Sequence, residues 1–162
     1  MNEFKVEEVI ASLDSLLAID IDSDALLSFQ ARIVPGLGVA SRTLARQLPL
    51  ISLNFPEVKG CYPGTVNLEL DRPLIVKKPD HRTAPLAWTP SGRTTEVFDL
   101  VRIGLEFDHE EQILPAWLYI AHASPHRHTP TIHEVIAGPM DLAGVSSCRV
   151  HLRASAVAPT EC

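Results

Sequence analysis

The sequence lacks the features that mark several common protein classes. No apolar run approaches the roughly 20 residues that a membrane-crossing helix needs. Its N-terminus is acidic and amphipathic rather than basic and then apolar, so no secretory signal is expected there. Cysteine is sparse: Cys61, Cys148 and Cys162 are far apart, and no Cys-x-x-Cys occurs. That usage predicts free thiols in a reducing compartment, and therefore a cytoplasmic protein with no membrane partner. Positive charge is also short, with 14 Lys and Arg against 20 Asp and Glu, a net charge of −6. That balance argues against a general nucleic-acid surface. One anionic nucleotide is not, because backbone amides can cradle phosphate locally. Aromatic residues are only 6% of the chain, whereas prolines number 13, which predicts many turns between short elements.

What is present has the patterning of one globular domain. The 162 residues are enough for a single sizeable core. Val6, Val9, Ile10, Leu13, Leu16 and Leu17 fall on one stripe and predict a helix over 3–17, capped by Asn2. Asp20, Asp22 and Asp24 follow as an acidic linker without the glycine and distal glutamate of a calcium loop. From Leu27 the period becomes two. Leu27, Phe29, Ala31 and Ile33 alternate with polar residues as in a half-buried strand. The stretch 43–55 is compatible with one or two short helices interrupted by Pro49 and Pro56. A second strand begins at Val66, Leu68 and Leu70. Residues 77–95 read as a long loop around a short strand, and further strands are expected at 97–107, 113–122, 132–137 and 147–153. Short strands separated by turn signals favour a barrel or sandwich over alternating strands and helices.

Three segments can carry chemistry. Pro35-Gly36-Leu37-Gly38-Val39-Ala40-Ser41 follows a strand, where glycines let the backbone approach a ligand. It has neither the Gly-Lys-Ser/Thr of a P-loop nor the third glycine of a dinucleotide fingerprint. Tyr62-Pro63-Gly64-Thr65-Val66-Asn67 is a tight turn running into a strand. Thr65 and Asn67 then project to the same face. A hydroxyl and an amide oxygen there are hard ligands that, with phosphate oxygens and water, complete a magnesium octahedron; the alternative is a plain turn and a polar strand face. The third segment holds His122, His126, His128, His133 and Glu134. Its histidines invite zinc, but Pro125 and Pro130 exclude a helix that would fix their spacing.

Taken in this order, the three segments resemble the CTP-dependent riboflavin kinase family, best known from archaea. The counterparts of the family motifs are Gly36-Leu37-Gly38, then Cys61-Tyr62-Pro63-Gly64-Thr65-Val66-Asn67, then His128 with Glu134-Val135-Ile136-Ala137. The resemblance runs from about Ala31 to Arg153. It implies a mainly β fold, a six-stranded cradle-loop barrel, occupying 27–155. A short N-terminal helix and linker would precede it at 1–26, and a tail would follow at 156–162. It also implies transfer of the γ-phosphate of CTP to the 5′-hydroxyl of riboflavin, giving FMN. Thr65 and Asn67 would hold Mg²⁺. Gly36, Leu37, Gly38, Val39, Ala40 and Ser41 would wrap the nucleotide phosphates. Pro139, Met140, Asp141 and Leu142 would contact the cytosine nucleotide, and Thr129 would stand for the family's flavin- or phosphate-contacting threonine. Glu134 would lie at the flavin site near the attacking hydroxyl, to orient it or to accept its proton. The sequence departs from the family at Val39-Ala40-Ser41, where Glu-Gly is usual, and at Arg127-His128-Thr129. An alternative with the same barrel is therefore a non-catalytic flavin- or nucleotide-binding module.

Overall fold

The computed structural model describes residues 25–35, 40–123 and 131–158. The expected helix at 3–17, the acidic linker, Gly36 to Val39, His126, His128, Thr129 and Cys162 lie outside the described residues. The strands are β1 (Leu26–Val34), β2 (Val66–Leu70), β3 (His81–Arg82), β4 (Phe98–Glu106), β5 (Leu114–Ala121), β6 (Ile132–Ala137) and β7 (Ser147–Arg153). All pairings between them are antiparallel, in the order β3-β4-β5-β6-β2-β1-β7. A further pairing of β4 with β7 closes β4, β5, β6, β2, β1 and β7 into a six-stranded barrel, leaving β3 as a short addition. The fold is thus the expected mainly β barrel.

Alternation along each strand determines which residues face the barrel axis. Phe29 and Ala31 of β1, Leu68 and Leu70 of β2, and Val101, Ile103 and Leu105 of β4 point inward. They meet Ala116, Leu118, Val135, Ala137, Cys148, Val150 and Leu152 in one core. β4 is buried along nearly all its length, because its outer face is covered as well.

The cover is α1 (Ala40–Asn54), a single helix where the sequence allowed two. Pro49 lies inside it and costs about 3 kcal/mol relative to alanine, having no N–H to give and a ring that crowds the preceding turn. Leu44, Leu48 and Ile51 repeat at helical spacing, with Phe55 just beyond, and pack on Phe98, Leu100, Ala121 and Ile136. Burial of side chains of that size is worth roughly 1.5–3 kcal/mol each, so the docked face outweighs the proline. A 3-10 turn (Pro56–Val58) follows, and Glu57 there takes two hydrogen bonds from Arg102, at 2.7 and 2.8 Å, and one from Trp117 Nε1 at 2.7 Å. Burial alone would raise the Glu57 pKa, but these donors hold it below the usual carboxylate range.

The closing seam is short: Gly104, Leu105 and Glu106 pair with His151, Val150 and Arg149. Side chains reinforce it from outside. Buried Glu106 lies 3.0 Å from His151 Nε2 and 3.1 Å from Arg149 Nε, and His151 Nδ1 is 2.7 Å from Ser28 Oγ. β4, β7 and β1 are thereby linked by one polar chain.

Candidate functional site

Strand register brings the end of β1, the second sequence motif and Glu134 together. Val34, the last residue of β1, pairs with Asn67 of β2, and Asn67 pairs in turn with Glu134 of β6. Residues paired across a sheet point to the same side. Leu68, Leu70 and Val135 face the core, so Asn67 and Glu134 share the outer face of the barrel. Thr65 is one pleat earlier on that face, and its hydroxyl donates to Glu134 Oε1 at 3.4 Å. A hydroxyl–carboxylate bond of that length is weak, so it costs little to exchange for a ligand.

Asn67 Oδ1 is buried and has no hydrogen-bond partner among the described residues. A buried acceptor left unpaired costs about 1–3 kcal/mol, and such a group calls for an explanation. Thr65 Oγ1, Asn67 Oδ1 and the Glu134 carboxylate form a small set of oxygen donors, the chemistry that a hard divalent cation takes. The residues present therefore fit the expected magnesium group. Among the described residues, no three His, Cys, Asp or Glu side chains are grouped to hold a metal ion. Of the four histidines behind the zinc reading, His122 and His133 are described, and His126 and His128 lie outside the described residues.

Two described segments border this row. β1 ends at Val34, next to Asn67. The helix that begins at Ala40 has no acidic residue in its first turn, so the positive end of its dipole is not neutralised by its own side chains. Ala40 and Ser41 belong to that helix rather than to the preceding loop. The connection after β6 returns to the same end, where the Ile33 N–H donates to the Ser146 carbonyl at 2.9 Å. Within it, Met140 and Leu142 pack against the barrel core, and Asp141 Oδ1 accepts the Ala143 N–H at 3.0 Å. Pro139 is exposed. Asp141 is exposed as well, so Pro139, Asp141 and the backbone are the parts of 139–142 best able to face a ligand.

Two buried polar residues at the site were not singled out in the sequence. Tyr119 of β5 donates its hydroxyl to Gln47 of α1, and the two are 7% and 2% exposed. Burial pushes the Tyr119 pKa far up, and the negative charges of Glu134 and Glu96 push it further, so it stays a neutral donor. The pair pins α1 to the strand beside Glu134. The signal was available in part: Trp117, Tyr119 and Ala121 alternate on one strand face, but only the docked helix shows that the face is covered.

The barrel also has a cavity of about 390 Å³, lined by Leu27, Phe29, Arg72, Leu74 and Val157 among others. It is at the other end, where β1 begins and β2 and β7 finish, away from Thr65, Asn67 and Glu134. No protein-family model matches the chain, and no curated protein matches it.

Proposed function

We propose that this barrel is a phosphotransferase of the CTP-dependent riboflavin kinase type, which moves the γ-phosphate of CTP to the riboflavin 5′-hydroxyl with Mg²⁺. The observation that carries the reading is the row Val34, Asn67, Glu134. It sets the phosphate-loop exit, the orphaned amide oxygen and the carboxylate side by side on three neighbouring strands.

Phosphoryl transfer asks the protein for in-line positioning and charge neutralisation rather than covalent chemistry. Thr65 and Asn67 would hold magnesium, which would supply that neutralisation when bound. Backbone amides of 36–41, the segment that leads into α1, take the phosphate oxygens. Glu134 accepts a hydrogen bond from the 5′-hydroxyl, orients its oxygen towards the γ-phosphorus and takes its proton as the new P–O bond forms. The bond from the γ-phosphorus to the bridging oxygen breaks, and CDP leaves with that oxygen. Tyr119 and Gln47 act as positioning residues that hold α1 to β5, the strand beside the one that carries Glu134.

The test is incubation of the purified chain with riboflavin, Mg²⁺ and each nucleoside triphosphate in turn. FMN formed with CTP supports the reading, and its absence with every nucleotide defeats it. A second reading, binding without turnover, is favoured by one observation: α1 begins at Ala40, so only 36–39 separate Pro35 from the helix. Calorimetric binding of CTP or riboflavin without FMN formation selects it.

A further inference from the structure

The chain displays a large aromatic ring beside the proposed site, stacked on no other ring among the described residues. Tyr62 is 57% exposed, one of three large hydrophobic side chains left open among the described residues. Its backbone is held: its N–H donates to the Ala137 carbonyl at 2.8 Å, and its own carbonyl accepts the Gly64 N–H at 2.9 Å. The ring lies against Gly64, where an added Cβ would come within 2.9 Å of Tyr62 Cε1. Glycine at 64 is therefore what permits this ring position.

We infer that Tyr62 is a stacking platform for the flat ring of the acceptor substrate, a flavin. The inference rests on the kinase reading and adds a residue that selects the substrate. Ala137 is three residues beyond Glu134, about 10 Å along a strand. A five-carbon side chain reaches about 6 Å from its ring, so a ring on Tyr62 brings a terminal hydroxyl towards Glu134. The flank matters too. The phosphate loop leaves from β1, on one side of Asn67, whereas Tyr62 sits against the end of β6, on the Glu134 side. The phosphates and the acceptor ring thus approach from opposite flanks. Stacking on a ring already held in place loses little entropy, and it discriminates by ring size.

Riboflavin fluorescence provides a readout independent of turnover. The intact chain is titrated into riboflavin with and without Mg-CTP, and the same is done for Tyr62→Ala, Tyr62→Trp and Gly64→Ala. The chain should quench the flavin. Tyr62→Ala should lose the quenching and bind about tenfold more weakly, with a melting temperature within about 2 °C of the parent, as expected at an exposed position. Tyr62→Trp should restore quenching. Gly64→Ala, which swings the ring without removing it, should weaken binding as well. Equal affinity and quenching in Tyr62→Ala overturn the platform and leave the kinase reading standing. Loss of CTP binding alone in Tyr62→Ala also overturns it, because the ring would then serve the nucleotide base. No flavin binding by the parent chain, with or without Mg-CTP, overturns both.

Discussion

Replacing Asn67 with valine should make the ligand-free protein more stable while removing its ability to hold Mg-CTP. Asn67 Oδ1 is buried without a partner, a defect worth about 1–3 kcal/mol. Valine removes that acceptor, and its branched side chain suits a strand position between Val34 and Glu134, where asparagine is disfavoured. The gain should thus be about 1–3 kcal/mol. A domain of this size shifts by about 2–4 °C per kcal/mol, so the melting temperature should rise by roughly 2–12 °C. Most point substitutions lower stability by about 1 kcal/mol, so the expected sign is itself diagnostic. Thermal denaturation with and without Mg-CTP is the assay. Parent protein should be stabilised by Mg-CTP and the variant should not, so the order of the two melting temperatures converges or reverses as ligand is added. A variant that melts below the parent without ligand would refute the reasoning, since Asn67 would then be serving the fold rather than waiting for a ligand.

Three further outcomes follow from the polar contacts. Glu106→Ala strips buried His151 and the neighbouring Arg149 of their shared carboxylate at the closing seam, and should cost about 3 kcal/mol in denaturant unfolding; a loss below about 0.5 kcal/mol would remove the seam's role. Asp99 takes two hydrogen bonds from Arg82, at 2.7 and 2.9 Å, and lies 2.9 Å from His122 Nε2. Burial alone would raise its pKa, but these donors hold it below the ordinary carboxylate value, so its contribution is present at neutral pH and is lost as pH falls through the lowered pKa. The stability difference between the parent and Asp99→Asn should therefore be largest near pH 7 and shrink below about pH 4; a difference independent of pH would contradict this. Burial pushes both Cys61 and Cys148 up to about 11. In a Cys162→Ser background, a thiol reagent at pH 8 should label them slowly until the protein is unfolded, because only about one thiol in a thousand is ionised; rapid labelling of the native protein would disprove the burial.

Much of the barrel was legible in one dimension. The strand expected at 132–137 and the one expected at 147–153 occur with those bounds, and those at 97–107 and 113–122 differ by one residue at each end. Half-buried strands announce themselves, because burial on one face imposes a period of two on the residue types. The helix at 40–54 was harder, since Pro49 argues locally against it and only burial on the barrel argues for it.

Local composition by itself therefore determined where the strands run, which faces are apolar, and which short segments can offer oxygen ligands or backbone amides. It could not say that Val34, Asn67 and Glu134 are neighbours, because they are far apart in the chain and meet only through strand register. Nor could it say that Asn67 Oδ1 is buried without a partner, that Tyr119 meets Gln47, or that Glu106 closes the seam. Those facts depend on pairings between distant strands and on a helix docking across them. Periodicity records how much of a residue is buried, but not against what.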